Sequence, residues 1–128
     1  MGVIKHQTVT KKNIRNMVDR FYSKVLKDEL LADFFIEKLG DEMITEQWQN
    51  HLTLLTSFWA SIILNDTSYK GQPIKPHMHM QGLNKETFKR WLKLFFETVD
   101  GVYVKETADI FKTNSESIAK NFIKLLKL

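Results

Sequence analysis

An all-α fold is predicted by three observations on this chain of 128 residues. Apolar residues recur at three- and four-residue steps through most of its length, the spacing of one helical face. No segment alternates apolar and polar residues with period two for long enough to make a strand. Cap-forming residues, glycines and prolines punctuate the gaps between the stripes. The length suits a single domain over residues 1–128, large enough to bury a core but not a second independent one.

The first stripe is Ile14, Met17, Val18, Phe21, Tyr22 and Val25, following Thr10 as N-cap, and predicts an amphipathic helix of about five turns with Tyr22 turned inward. A short apolar segment from Leu30 to Phe35 predicts one or two turns ending near Gly40, where a helix can stop in the left-handed conformation. Ile44, Trp48, His51, Leu55, Phe58 or Trp59, and Ile62 form the next stripe, so His51 faces the core. Between Asn65 and Gly82, Gly71, Pro73 and Pro76 permit only a short turn, with Pro76 at its first position and His77 inside it. Asn84 then caps a helix, with Leu83 and Phe88 at the spacing of a hydrophobic staple and Phe88, Trp91 or Leu92, Phe95 and Val99 on the buried side. After Asp100 and Gly101 a last stripe runs Val104, Ala108, Phe111, Ser115, Ile118, Phe122 and Leu125. Five or six helices joined by short connections give two crossed layers, a sandwich able to hold a flat ligand.

Composition narrows the chemistry. The absence of cysteine excludes disulfides, thiolate nucleophiles, iron–sulfur clusters and cysteine-ligated zinc. The hydrophobic share of 43% and charged share of 27% are those of an ordinary globular domain, so no disordered tract is expected. The longest apolar run, Leu54 to Leu64, is too short to cross a bilayer. The first residues lack a signal-peptide pattern, which makes the cytoplasm the expected compartment. The net charge of +4 comes from lysines scattered over several helices, not interleaved with aromatics, so a solvated cationic surface is expected instead of nucleic-acid binding.

Tyr22, His51, His77 and Trp91 are the residues whose convergence would carry chemistry. A histidine on a loop opposite an inward-facing stripe can give iron a neutral imidazole lone pair, which makes His77 a candidate axial ligand in a haem pocket. Singly, each of the four has a plainer reading: a polar loop histidine, a tyrosine with its hydroxyl at the rim, a satisfied core histidine, a packing tryptophan. His79 competes with His77, but in a helical turn the two point about 200° apart, so only one faces a pocket. A two-histidine non-haem site needs an extended segment and further carboxylate ligands that the spacing does not supply.

With these residues placed, the chain resembles a truncated haemoglobin, most closely the third group of that family as found in Campylobacter-type bacteria. The resemblance runs from about Thr10 to the C-terminus. It is carried by Phe21-Tyr22-Ser23-Lys24-Val25, by His51 followed by Phe58-Trp59-Ala60, by Gly71-Gln72-Pro73-Ile74-Lys75-Pro76-His77, and by Arg90-Trp91-Leu92-Lys93-Leu94-Phe95. The paired glycines of the other truncated groups are absent, in keeping with the third group, and His79 is an addition that the motif does not require.

The resemblance implies a shortened globin fold, a two-over-two helical sandwich around one haem b (iron protoporphyrin IX). It implies His77 as proximal ligand, Tyr22 and Trp91 as distal hydrogen-bond donors and His51 as distal gate. Phe35, Leu55, Phe58 and Trp59 then fall against or near the porphyrin. The implied function is reversible binding of oxygen, with nitric oxide, carbon monoxide and cyanide as further ligands. The alternative is an enzyme, performing peroxidase-like or nitric oxide dioxygenase chemistry with electrons from a separate reductase. A third possibility is a cofactor-free helical interaction module in which His51 and Trp91 are only core.

Overall fold

The computed structural model describes residues 4–69, 71–73, 77–78 and 80–128. Thr10 starts the first helix with extended backbone: its hydroxyl accepts from the Asn13 amide and the Asn13 side chain accepts from the Thr10 amide, a reciprocal cap. The helix that follows, α1 (Lys11–Val25), is about four turns long and buries Ile14, Met17, Val18, Phe21, Tyr22 and Val25, the stripe read from the sequence.

Asp28 ends the turn after α1. Its Oδ2 accepts from the backbone amides of Leu30 and Leu31, at 3.0 Å each, and sets up α2 (Ala32–Leu39). This helix begins later than the Leu30–Phe35 segment suggested, leaving Leu30 at the surface, and ends where expected, at Gly40. Gly40 closes it at φ 83 and ψ −179, a positive-φ conformation with extended ψ in place of the left-handed helical stop expected there.

Thr45 caps α3 (Glu46–Ile63) by accepting from the Trp48 amide. Ile44 therefore falls outside the helical register and is 83% exposed, contrary to its place in the sequence stripe, while Leu52 takes a core position. Asn84 and Thr87 form a second reciprocal cap at α4 (Lys85–Val102), and Leu83 packs with Phe88 as the staple spacing predicted. Asp100 and Gly101 do not break this helix. The break comes at Tyr103, whose extended backbone lies beside His6 in an isolated parallel bridge.

Val104 opens α5 (Lys105–Leu125), which buries Ala108, Phe111, Ser115 and Phe122. Its last turn directs Leu126 to the Phe88–Phe122 cluster, which leaves Leu125 exposed where the stripe had placed it inside. The packing is that of two pairs, α1 with α3 and α4 with α5, joined by α1 against α4. The N-terminal segment clasps the far end: the His6 amide donates to Val102 O, the Val104 amide to His6 O, Thr107 Oγ1 to Gln7 O and Asn13 Nδ2 to Thr8 O. Tyr103 is buried there and donates its hydroxyl proton to Asn13 Oδ1 at 2.8 Å. No helix among the described residues is long and apolar enough to cross a membrane.

Candidate functional site

A cavity of about 620 Å³ opens between the helix pairs, with walls drawn from all five helices and from the segment between α3 and α4. Its size lies in the range of cofactor pockets, about 300–1,000 Å³. The cavity explains why α2 has no fully buried residue although it is rich in apolar side chains: Phe34, Phe35 and Leu39 face the open space. His51, Leu55 and Phe58 on α3 are half-buried for the same reason.

Tyr22, His51, His77 and Trp91 all line this cavity. So do the apolar residues singled out with them, Phe35, Leu55, Phe58 and Trp59. Tyr22 projects from α1 and meets His51 of α3 edge to face, with ring centroids 5.1 Å apart. Trp91 of α4 stacks on Phe95 at 5.1 Å, and Phe95 stacks in turn on Trp59 at 4.9 Å, so the indole is held flat against a rigid column. Burial pushes the Tyr22 phenol well above its ordinary pKa, which keeps its proton in place as a donor. Its hydroxyl makes no hydrogen bond to another described residue.

His51 Nε2 is buried without a hydrogen-bond partner among the described residues. Burial first, and then the charge of His77, lower the His51 pKa to about 4, so the imidazole is neutral at pH 7. A buried polar atom left open at the edge of an apolar cavity requires explanation, and one aimed at a ligand provides it.

His77 lies in a helical turn with Met78; Pro76, expected to start that turn, lies outside the described residues, as do Lys75 and the competing His79. The His77 Nδ1 atom is 2.7 Å from Pro73 O. A carbonyl can only accept, so Nδ1 carries the proton and Nε2 keeps its lone pair. Burial lowers the His77 pKa and the Pro73 hydrogen bond opposes it, leaving a neutral imidazole with its tautomer fixed. The ring packs on Phe122 at 4.8 Å, in the cluster with Phe88 and Ala119, whereas Tyr22 and Trp91 belong to the main core cluster.

Three participants went unnoticed in the sequence. Pro73 sits four residues before His77, a helical-turn spacing that could have marked it as the carbonyl partner. Trp48 touches both Tyr22 and His51 and was read only as a stripe residue. Lys38 is the one Lys, Arg, Asp or Glu among the described cavity residues. Arg90, beside Trp91 in sequence, is committed elsewhere, to Asp28 Oδ1 at 2.7 Å.

No family model matches the sequence. The chain is, however, 32% identical over 123 residues to the group 3 truncated hemoglobin ctb of Campylobacter jejuni, an alignment covering 96% of this chain and 95% of that one. The chain belongs to the group III truncated haemoglobins. The crystal structure of group III truncated hemoglobin from Campylobacter jejuni matches with a TM-score of 0.89 and 32% identity, covering 96% of this chain and 95% of that one. This globin therefore has the shortened, two-over-two globin fold.

The residues fit the group that the family implies. A haem requires an apolar space, one neutral imidazole able to give a lone pair, and no charged side chain pressed against the ring system. The cavity meets the first, His77 with its fixed tautomer meets the second, and the confinement of charge to the exposed Lys38 meets the third. Among the described residues no three His, Asp or Glu side chains converge as a non-haem metal site would need.

Proposed function

We propose that this globin holds haem b through His77 and binds oxygen and other small diatomic ligands, among them nitric oxide, carbon monoxide and cyanide, on the side of Tyr22, His51 and Trp91. The observation that carries the reading is the division of polar atoms in one apolar cavity. A single imidazole with its tautomer set by Pro73 packs in one cluster, and the phenol and indole that line the same cavity belong to the other. When bound, the haem supplies an iron atom with one coordination position left for a small ligand.

The protein's part is to hold, orient and select. The Tyr22 hydroxyl stays protonated and can donate or accept, while the Trp91 indole can only donate, so together they favour ligands with acceptor character. The Phe95 and Trp59 column keeps Trp91 from swinging away, so the donation costs little ordering entropy on binding. His51, neutral and tied by no hydrogen bond at Nε2 to another described residue, can change rotamer at the cost of its ring packing alone, and acts as the gate between cavity and solvent. Such a cage slows ligand release, which suits sequestration or chemistry on the ligand better than bulk delivery.

One observation favours an enzymatic reading beside it. A neutral imidazole of low pKa next to the ligand space can take a proton from an incoming peroxide and return it, the service a peroxidase-like reaction needs. Nitric oxide dioxygenation would make the same use of Tyr22 and Trp91. Either reaction in the cytoplasm requires electrons from a separate reductase.

The absorption spectrum of the purified protein tests the reading. A strong Soret band that is lost in H77A supports it; a colourless wild-type protein that takes up no added haemin overturns it.

A further inference from the structure

The indole of Trp48 is completely buried three residues before His51 on α3, and its Nε1–H donates to Gly40 O at 2.8 Å. Gly40 is the last residue of the α2 cap, and its positive φ with extended ψ is a conformation that only glycine adopts cheaply. The hydrogen bond therefore pins a core side chain of α3 to the end of α2.

Trp48 also faces two residues of the ligand space. Its ring stands edge to face against His51 at 5.5 Å and against Tyr22 at 5.5 Å, while Tyr22 and His51 meet each other at 5.1 Å. Phe35 of α2 lies nearly parallel to the indole at 6.4 Å. The three rings Tyr22, Trp48 and His51 form a closed triangle of mutual edge-to-face contacts. Because His51 Nε2 has no hydrogen-bond partner among the described residues, the rotamer of His51 is held by ring packing, that of the triangle and of Phe35 at 6.3 Å.

We infer that Trp48 is the positioning residue of the gate: anchored to Gly40, it holds the His51 imidazole against Tyr22 and ties its release to the end of α2. The inference rests on the reading of His51 as gate. It assigns to α2 a control over ligand admission that none of the ligand-facing residues requires. Loosening the indole from Gly40 lets the imidazole sample its open rotamer more often, whereas Trp48 itself never touches the ligand.

The test uses the haem-loaded protein and two readouts, carbon monoxide rebinding after flash photolysis and the infrared stretch of bound carbon monoxide. W48F keeps a ring and removes the donor. It is expected to speed rebinding from solvent by roughly twofold to tenfold, the worth of one intramolecular hydrogen bond, and to add a second stretching band. In the H51A background W48F is expected to change neither readout. G40A, with open space around the added methyl but a backbone strained at φ 83, displaces the acceptor without touching the cavity and is expected to add the same band; it carries the test if W48F loses haem. Equal effects of W48F with and without His51, or a single unchanged band in both W48F and G40A, would overturn the inference. Unchanged rebinding in H51A alone would instead remove the gate reading, while the second band, present in W48F and absent from W48F/H51A, would still report the hold of Trp48 on His51.

Discussion

The phenol of Tyr22 and the imidazole of His51 meet edge to face, 5.1 Å between centroids with 79° between planes, and neither hydrogen-bonds to another described residue. Two polar side chains brought together without satisfying each other are positioned for something else.

Replacing the donors reads out that purpose. In the proposed cage, Y22F and W91F would each remove one hydrogen bond to the ligand while leaving the ring packing on Phe21 and Phe95 in place. A bond to a partly charged acceptor is worth about 1.5–3 kcal/mol, so each variant is expected to release oxygen roughly tenfold to a hundredfold faster by stopped-flow displacement. The double variant is expected to be faster than either. Unchanged release in all three would refute the cage.

His77 and His79 can be told apart by haem retention. H77A is expected to lose the Soret band or hold haemin far more weakly, and H79A to keep it. A pale H79A with an intact H77A would reverse the assignment and would leave the Pro73 hydrogen bond without a function.

The cavity histidine makes stability depend on pH. His51 is held neutral in the folded protein, with its pKa lowered to about 4, whereas the unfolded chain protonates it at its ordinary value of about 6.5. Between those values the unfolded state binds more protons, so the His51 contribution to stability falls as pH drops from about 6.5 to 4 and is flat below, by about 3 kcal/mol at most. Tyr22, His77 and Lys38 are the other titratable groups on the cavity beside it, together with Tyr69 at its edge; His77 acts in the same direction as burial lowers its pKa too. Urea midpoints across this range are expected to fall for the wild type relative to H51L as pH drops from about 6.5 to 4. Parallel curves would show that His51 is not the source.

Asp28 is expected to matter more than its partner Arg90. The Asp28 side chain is 7% exposed and serves two backbone amides as well as the guanidinium, whereas Arg90 is 42% exposed and can rehydrate. D28A leaves two amides and a cation unsatisfied and is expected to cost about 2–3 kcal/mol. R90A is expected to cost about 1 kcal/mol or less. Urea unfolding of the two variants checks the asymmetry.

Much of the fold was legible because helical periodicity and caps are local signals. Thr10 and Asn84 mark their helix starts, and the α1 stripe is buried residue for residue. One error arose where a distant partner decides, another where a local cap outranks a helical stripe. Nothing local announces that His6 will pair beside Tyr103, so the α4 end was read two residues early at Asp100 and Gly101. Ile44 fits the α3 spacing, but the Thr45 cap excludes it from the helix. At the site, all eight candidates line one cavity because a stripe facing a ligand and a stripe facing core have the same spacing. That equivalence also concealed Trp48, whose bond to Gly40 joins two helices and leaves no mark in either.

The clasp of His6 and Gln7 on Val102, Val104 and Thr107 has a consequence for the order of folding. Gln7 and Thr107 are separated by 100 positions, so their contact forms only against a large loss of chain entropy, whereas Thr8 meets Asn13 locally. Until α5 docks, the backbone groups of His6 and Gln7 lack these partners, and the closing of the clasp reports that the helix pairs have come together.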